Sequence, residues 1–188
     1  NEVYDATSDF YRNGVVYSSN VITGGTPSAS HSHTTYVASK AFDGTAATDT
    51  DRWLCNSAFP QQLQYDLGSG NSEVFASIYL VSYGPPQGQQ PDDFTIEGSN
   101  NGSTWVVLHT VTNAVWIDED VDGNAATGHQ TYNFSNTTAY RYIRLNISSE
   151  YAGATGQASI FKMEGYTSTG FNEITLLSNA FTAESEPT

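Results

Sequence analysis

Residues suited to holding a sugar gather in a few polar stretches of this chain. Sugars are bound by aromatic faces that stack on C–H patches and by planar polar groups that fork to hydroxyls. Arg52-Trp53 with Asn56 is the densest local combination of the two. His31, His33, Phe59, Tyr83, Gln90 and Tyr151 are of suitable type and lie in or beside stretches that read as loops, although His31 and His33 also fit plain surface positions alternating along a strand. A second chemistry is suggested by Asp118-Glu119-Asp120-Val121-Asp122-Gly123-Asn124, where acids at alternate positions before a glycine copy the front half of a calcium loop. The bidentate acid that such a loop needs at its twelfth position is His129 here, so a solvated hairpin end is the competing reading. No Gly-x-Ser-x-Gly, His-Glu-x-x-His, P-loop or paired-cysteine motif occurs, and acid pairs arise by chance among 20 carboxylates. The expectation is a protein that is not an enzyme. Cys55, the single cysteine, excludes a disulfide within the chain and reads as a packing residue.

The elements that must position these groups are strands. Tyr (12) and Phe (9) far outnumber Met (1), and an aromatic, Thr- and Ser-rich composition favours pleated surfaces. In Gln62–Leu67, Leu63, Tyr65 and Leu67 fall on one face and Gln62, Gln64 and Asp66 on the other, the pattern of a half-buried strand. Val74–Tyr83 is apolar enough for a central strand; Gly84-Pro85-Pro86 ends it and a polar loop runs to Pro91. Phe94–Gly98 and Trp105–Val111 flank Ser99-Asn100-Asn101-Gly102-Ser103, a hairpin signature in which Asn-Gly supplies positive φ angles. Gln130–Phe134, Tyr140–Ile147 and Ala158–Tyr166 are further strands, and no segment keeps a 3.6-residue period. About eight strands between turn signals predict an all-β fold, an antiparallel sandwich of jelly-roll type.

With 188 residues and 38% hydrophobic content, the chain can bury one core. Residues 1–19 read as an N-terminal extension, 20–166 as the sandwich, and 167–188 as a linker followed by the start of a further β module. Asn1 is not followed by a basic-then-apolar leader, so a processed or excised piece is expected. No run reaches the length of a membrane-spanning helix. The net charge of −14, from 20 acids and 6 bases, repels phosphate backbones and anionic bilayers at long range. It argues against nucleic acid and against an anionic lipid surface, as the lack of a long apolar run argues against membrane insertion. It suits a neutral glycan, a cation or a solvated surface, with solubility accounting for most of it.

Four islands recur in one order: Lys-Ala-Phe-Asp-Gly (40–44) with Trp53 behind it, Gln-Leu-Gln-Tyr-Asp-Leu-Gly (62–68), Phe-Thr-Ile-Glu-Gly-Ser-Asn-Asn-Gly-Ser-Thr-Trp (94–105) and Tyr-Arg-Tyr-Ile-Arg-Leu (140–145). Together they resemble the discoidin, or coagulation-factor type C, family, whose relatives include galactose-binding-like carbohydrate-binding modules. The resemblance implies a sandwich that binds and does not catalyse, with its ligand on loops at one end. Arg52, Trp53, Asn56, Tyr83, Gln90 and Tyr151 are then the ligand-binding candidates. The family's Trp after the Asp-Gly turn is usually a core residue, which leaves both readings of Trp53 open.

The resemblance also implies a calcium turn. The carbonyls of Lys40 and Thr45, the Asp43 carboxylate and Thr48 would donate oxygens, with Thr50 or Asp51 as substitutes for Thr48. The family's last strand supplies a Glu where this chain has Lys162, and Glu164 is the candidate replacement. A metal-free Asx-turn is the alternative. The terminal cysteine pair of the animal members is missing, which points to a bacterial or viral version. The expected function is a carbohydrate-recognition or adhesion module for cell-surface or polymeric carbohydrate, in a larger secreted, surface or virion protein outside the cell. The rival is a decoration domain contacting other subunits of an assembly such as a phage tail.

Overall fold

The computed structural model describes residues 10–12, 15–83, 88–118, 121–124, 127–151 and 156–171. Side chains of 10–16, 118 and 169–171 are outside that description. The first strands are β1 (Phe10–Arg12), β2 (Val15–Tyr17) and β3 (Thr26–Ala29), followed by a short 3-10 helix at Ala38–Phe42. Then come β4 (Trp53–Cys55), β5 (Gln61–Asp66), β6 (Phe75–Tyr83), β7 (Phe94–Ser99) and β8 (Val106–Val111). The chain continues with β9 (Ile117–Asp118), β10 (Thr127–Asn133), β11 (Tyr142–Ile147), β12 (Ala158–Ile160) and β13 (Lys162–Phe171). They form a six-stranded sheet, β1-β2-β13-β6-β10-β9, a five-stranded sheet, β3-β5-β11-β7-β8, and a ribbon of β12 with β4. Every pairing is antiparallel.

The alternation read from the sequence sets the core. Leu63, Tyr65, Leu67, Ile143, Leu145 and Ile147 are buried and meet Ile78, Leu80 and Met163 of the other sheet. Each such aliphatic side chain stabilises the fold by about 1.5–3 kcal/mol. Gln64 and Arg144 lie on the opposite face, where Arg144 pairs with Glu97 at 2.6 Å and stacks over Trp105 at 3.9 Å. Central strand β6 is apolar on both faces because both are covered. Ile78 and Leu80 enter the main core, while Val81 and Tyr83 join Ala46 and Phe161 in a second, smaller one.

Each of the five bases whose side chains are described lies beside a carboxylate. Lys40 is near Asp43 and Asp51, Arg52 near Asp49, Arg141 against Asp66, Arg144 against Glu97 and Lys162 against Asp122.

Three details differ from the sequence reading. The apolar run 158–166 is not one strand: it bends at Phe161, so β12 pairs with β4 and β13 joins β6. A hairpin, β1 with β2, arises inside residues 1–19 and adds to β13, which itself runs past residue 166 to Phe171. In the turn after β7 only Gly102 has a positive φ; Asn101 caps it through Oδ1, which accepts the Ser103 and Thr104 amides at 2.9 and 2.8 Å. The further β module expected within 167–188 falls, beyond Phe171, outside the described residues.

Candidate ligand-binding end

The short ribbon of β4 and β12 organises one end of the sandwich. Trp53 is 0% exposed, and its Nε1 donates to the His31 carbonyl at 3.0 Å and to Ser32 Oγ at 3.2 Å. That anchors the 31–36 loop. Leu54 and His33 extend the anchor through backbone bonds, Leu54 N to Tyr36 O and His33 N to Leu54 O. Trp53 is therefore a core residue here, and its ring faces are not presented for stacking.

Arg52 is also turned inward. Its guanidinium carbon lies 4.5 Å from the Tyr36 ring centre, 4.9 Å from that of Tyr83 and 5.7 Å from that of Phe161. NH1 donates to the Asp49 carbonyl at 2.6 Å and to the Tyr83 hydroxyl. Tyr83 in turn donates to Asp49 Oδ1 at 3.0 Å. Burial, reinforced by Asp49 and opposed by Arg52, pushes the Tyr83 hydroxyl up to about 12, so it stays a protonated donor near neutrality. The sequence reading offers Arg52 and Tyr83 as ligand contacts; the structure buries both, and together with Tyr36 they brace the loop.

Around the ribbon the polar groups are less well satisfied. His31 Nδ1, Arg52 Nε, Gln89 Oε1, Ser159 Oγ and both amide atoms of Gln90 are buried without a protein partner. Gln90 is 0% exposed, though its backbone carbonyl accepts the Tyr151 amide at 2.8 Å. Glu150 is buried and accepts the amides of Gly156 and Gln157 at 2.5 and 2.7 Å. Asn56 and Tyr151 are exposed, Tyr151 at 40%. The structure thus gathers Arg52, Trp53, Tyr83 and Gln90 beneath the surface and leaves Asn56 and Tyr151 on it. The sequence reading missed Tyr36 and Ser159; Tyr36 closes the stack on Arg52, and nothing in its sequence neighbourhood signals that. Cys55 is buried, accepts the Ala158 amide at 3.3 Å, and burial pushes its thiol up, away from a nucleophile's range.

The Asp43 turn lies farther along. Gly44 takes φ +84° there, a conformation that favours glycine. Asp43 Oδ1 accepts the Thr45 amide at 3.2 Å, an Asx-turn, and Oδ2 is 3.8 Å from Lys40 Nζ. Thr48 gives both its amide and its hydroxyl to Asp51 Oδ2, at 3.0 and 2.9 Å. Glu164 accepts the Tyr166 hydroxyl at 2.5 Å. Among the described residues no three His, Cys, Asp or Glu side chains gather as a metal set. Calcium takes about six to eight hard oxygens. The side chains of Asp43, Thr48 and Glu164 are engaged with an amide, a carboxylate and a hydroxyl, and Lys162, itself a cation, stands at the position of the expected Glu. So engaged, these side chains do not make a calcium set. In the acidic loop, Asp122 (φ 55°) and Gly123 (φ 84°) form a tight turn, and Asp122 is tied to Lys162; residues 119–120 are outside the described residues.

The profile of the F5/8 type C domain matches residues 26–163, and the chain belongs to that family. Solved structures agree on the fold. The family 32 carbohydrate-binding module of Clostridium perfringens NanJ, solved with galactose, is 19% identical, with a TM-score of 0.61 over 80% of this chain and 99% of that one. A chitosan-binding module from a Paenibacillus sp. IK-5 chitosanase/glucanase is 24% identical, with a TM-score of 0.60 over 79% and 98%. The lectin domain of Lectinolysin, solved with the Lewis b antigen, is 18% identical, with a TM-score of 0.57 over 78% and 94%. No curated protein matches the chain. The fold is that of the carbohydrate-binding modules, some of which are attached to enzymes. No helix among the described residues is long and apolar enough to cross a membrane.

Proposed function

We propose that this domain recognises cell-surface or polymeric carbohydrate without catalysing its turnover, as one module of a larger secreted, surface or virion protein. The observation that carries the reading is the exposure of a forked amide, Asn56, and an aromatic ring, Tyr151, at the end of the sandwich organised by the β4–β12 ribbon. Sugar sites pair planar polar groups with aromatic faces in this way. Hydroxyl-rich ligands supply both donors and acceptors. Exposed Asn56 and Tyr151 are the surface contacts, one forking to hydroxyls and the other stacking on a sugar face. The galactose, chitosan and Lewis b of the similar modules' names support the ligand class. The test is a glycan array probed with a multivalent display of the domain, beside Asn56→Ala and Tyr151→Ala. Binding lost in both variants at unchanged melting temperature supports the reading, and no binding across a broad array refutes it.

An assembly role is the second reading. Val106 and Val107 on edge strand β8, with Val115 and Ile117 at and before edge strand β9, are 48–73% exposed. Exposed apolar residues along unpaired strand edges favour contact with other subunits.

A further inference from the structure

We propose that the Lys162 ammonium is the resident cation of this module's turn, joining the 43–51 loop and the acidic hairpin to β13 in place of a metal ion. Lys162 Nζ donates to Asp122 Oδ2 at 2.7 Å, with the Lys162 side chain 11% exposed. The same Oδ2 accepts the Ala46 amide at 2.9 Å. Asn124 Nδ2 returns a bond to the Ala46 carbonyl at 3.1 Å. One residue of the turn loop is thus held at both its N–H and its C=O by the hairpin, and the hairpin is held by the lysine.

What lies beneath explains the need for a tie. Ala46, Val81 and Phe161, each 0% exposed, form the small core outside β6 together with Tyr83, and Tyr79 and Val121 pack against it. A core of this size holds little stabilisation of its own, so its roof, the loop at Ala46 and the hairpin at Val121, needs a polar clamp. A calcium ion can clamp two loops by collecting their oxygens. An ammonium has three donors and one charge, and it needs only a carboxylate and a neighbouring turn. Asp122 and Ala46 are those two. The lysine differs from an ion in being part of the chain: it cannot dissociate, so no mass-action term links the fold to calcium concentration.

The test is thermal melting of the unmodified chain in millimolar calcium and in excess chelator, with Lys162→Met, Asp122→Asn and the double variant alongside. Methionine keeps the buried stem, and asparagine still accepts the Ala46 amide, so each removes the charge alone. The expected result is a wild-type melting temperature equal in calcium and chelator, a loss of about 2–4 °C for each single substitution, and a double variant no worse than the weaker single. A fall in the wild type on chelation that calcium reverses overturns the proposal, as do single effects that add in full. Should Lys162→Met fail to fold, the wild-type comparison and Asp122→Asn decide the matter alone. None of these readouts depends on sugar binding.

Discussion

Replacing Arg52 with alanine separates a brace from a ligand contact. The guanidinium lies within 5 Å of two ring centres, those of Tyr36 and Tyr83, in a buried setting. Each stack contributes about 1 kcal/mol, the upper end for exposed pairs and a lower bound for these buried ones. The ion pair with Asp49 adds little, because Asp49 is 67% exposed. Loss of the hydrogen bond to the Asp49 carbonyl and of the packed stem brings the total to about 3 kcal/mol. For a domain of this size that is about 6–12 °C in melting temperature. Arg52→Lys keeps the charge but not the planar stack, and should recover less than half of the loss. The assay is thermal unfolding by circular dichroism, run with the glycan array on the same samples. Arg52→Ala melting within about 1 °C of the wild type would refute the reasoning; loss of glycan binding at that unchanged stability would make Arg52 a ligand contact.

Leu145→Ala, at a position with 0% exposure, should cost about 2–5 kcal/mol by denaturant unfolding. Arg141 grips Asp66 through two 2.7 Å bonds and holds its carboxyl below the usual range. That stability is present above the unfolded-state value of about 3.9 and is lost as pH falls through the lower folded value, so Asp66→Asn should flatten the acid limb of a stability–pH profile. Tyr151→Ala should leave the melting temperature unchanged, since the side chain is exposed, while weakening adhesion to an immobilised glycan measured by surface plasmon resonance.

The sandwich was legible wherever a period of two met a single buried face. Leu63, Tyr65 and Leu67, and Ile143, Leu145 and Ile147, announce their orientation within a few residues. The bend at Phe161 was not legible, because an apolar run reads alike whether it continues or changes partner. At the loop end, residue type was a poor guide to exposure. Arginine, tryptophan and tyrosine are chosen both for gripping sugars and for filling space between strands. Only the fold, by bringing Tyr36, Arg52, Tyr83 and Phe161 together across more than a hundred residues, decides between those uses. The partner of Lys162 lies 40 residues away on a different hairpin, a distance that no local pattern spans.

The pairing of every described base with a nearby acid has an outcome for copies of the domain displayed side by side. Those positive charges are spent within each molecule, so neighbours present one another with little but carboxylates, against a net of −14 per copy. At low ionic strength such neighbours hold each other apart, and a dense array is strained. At physiological salt the repulsion decays over about 8 Å, less than a side chain and its hydration from each partner, and close ranks become tolerable. Multivalent adhesion by this domain should therefore strengthen as salt is raised from low to physiological levels, while single-site affinity for a neutral sugar stays flat.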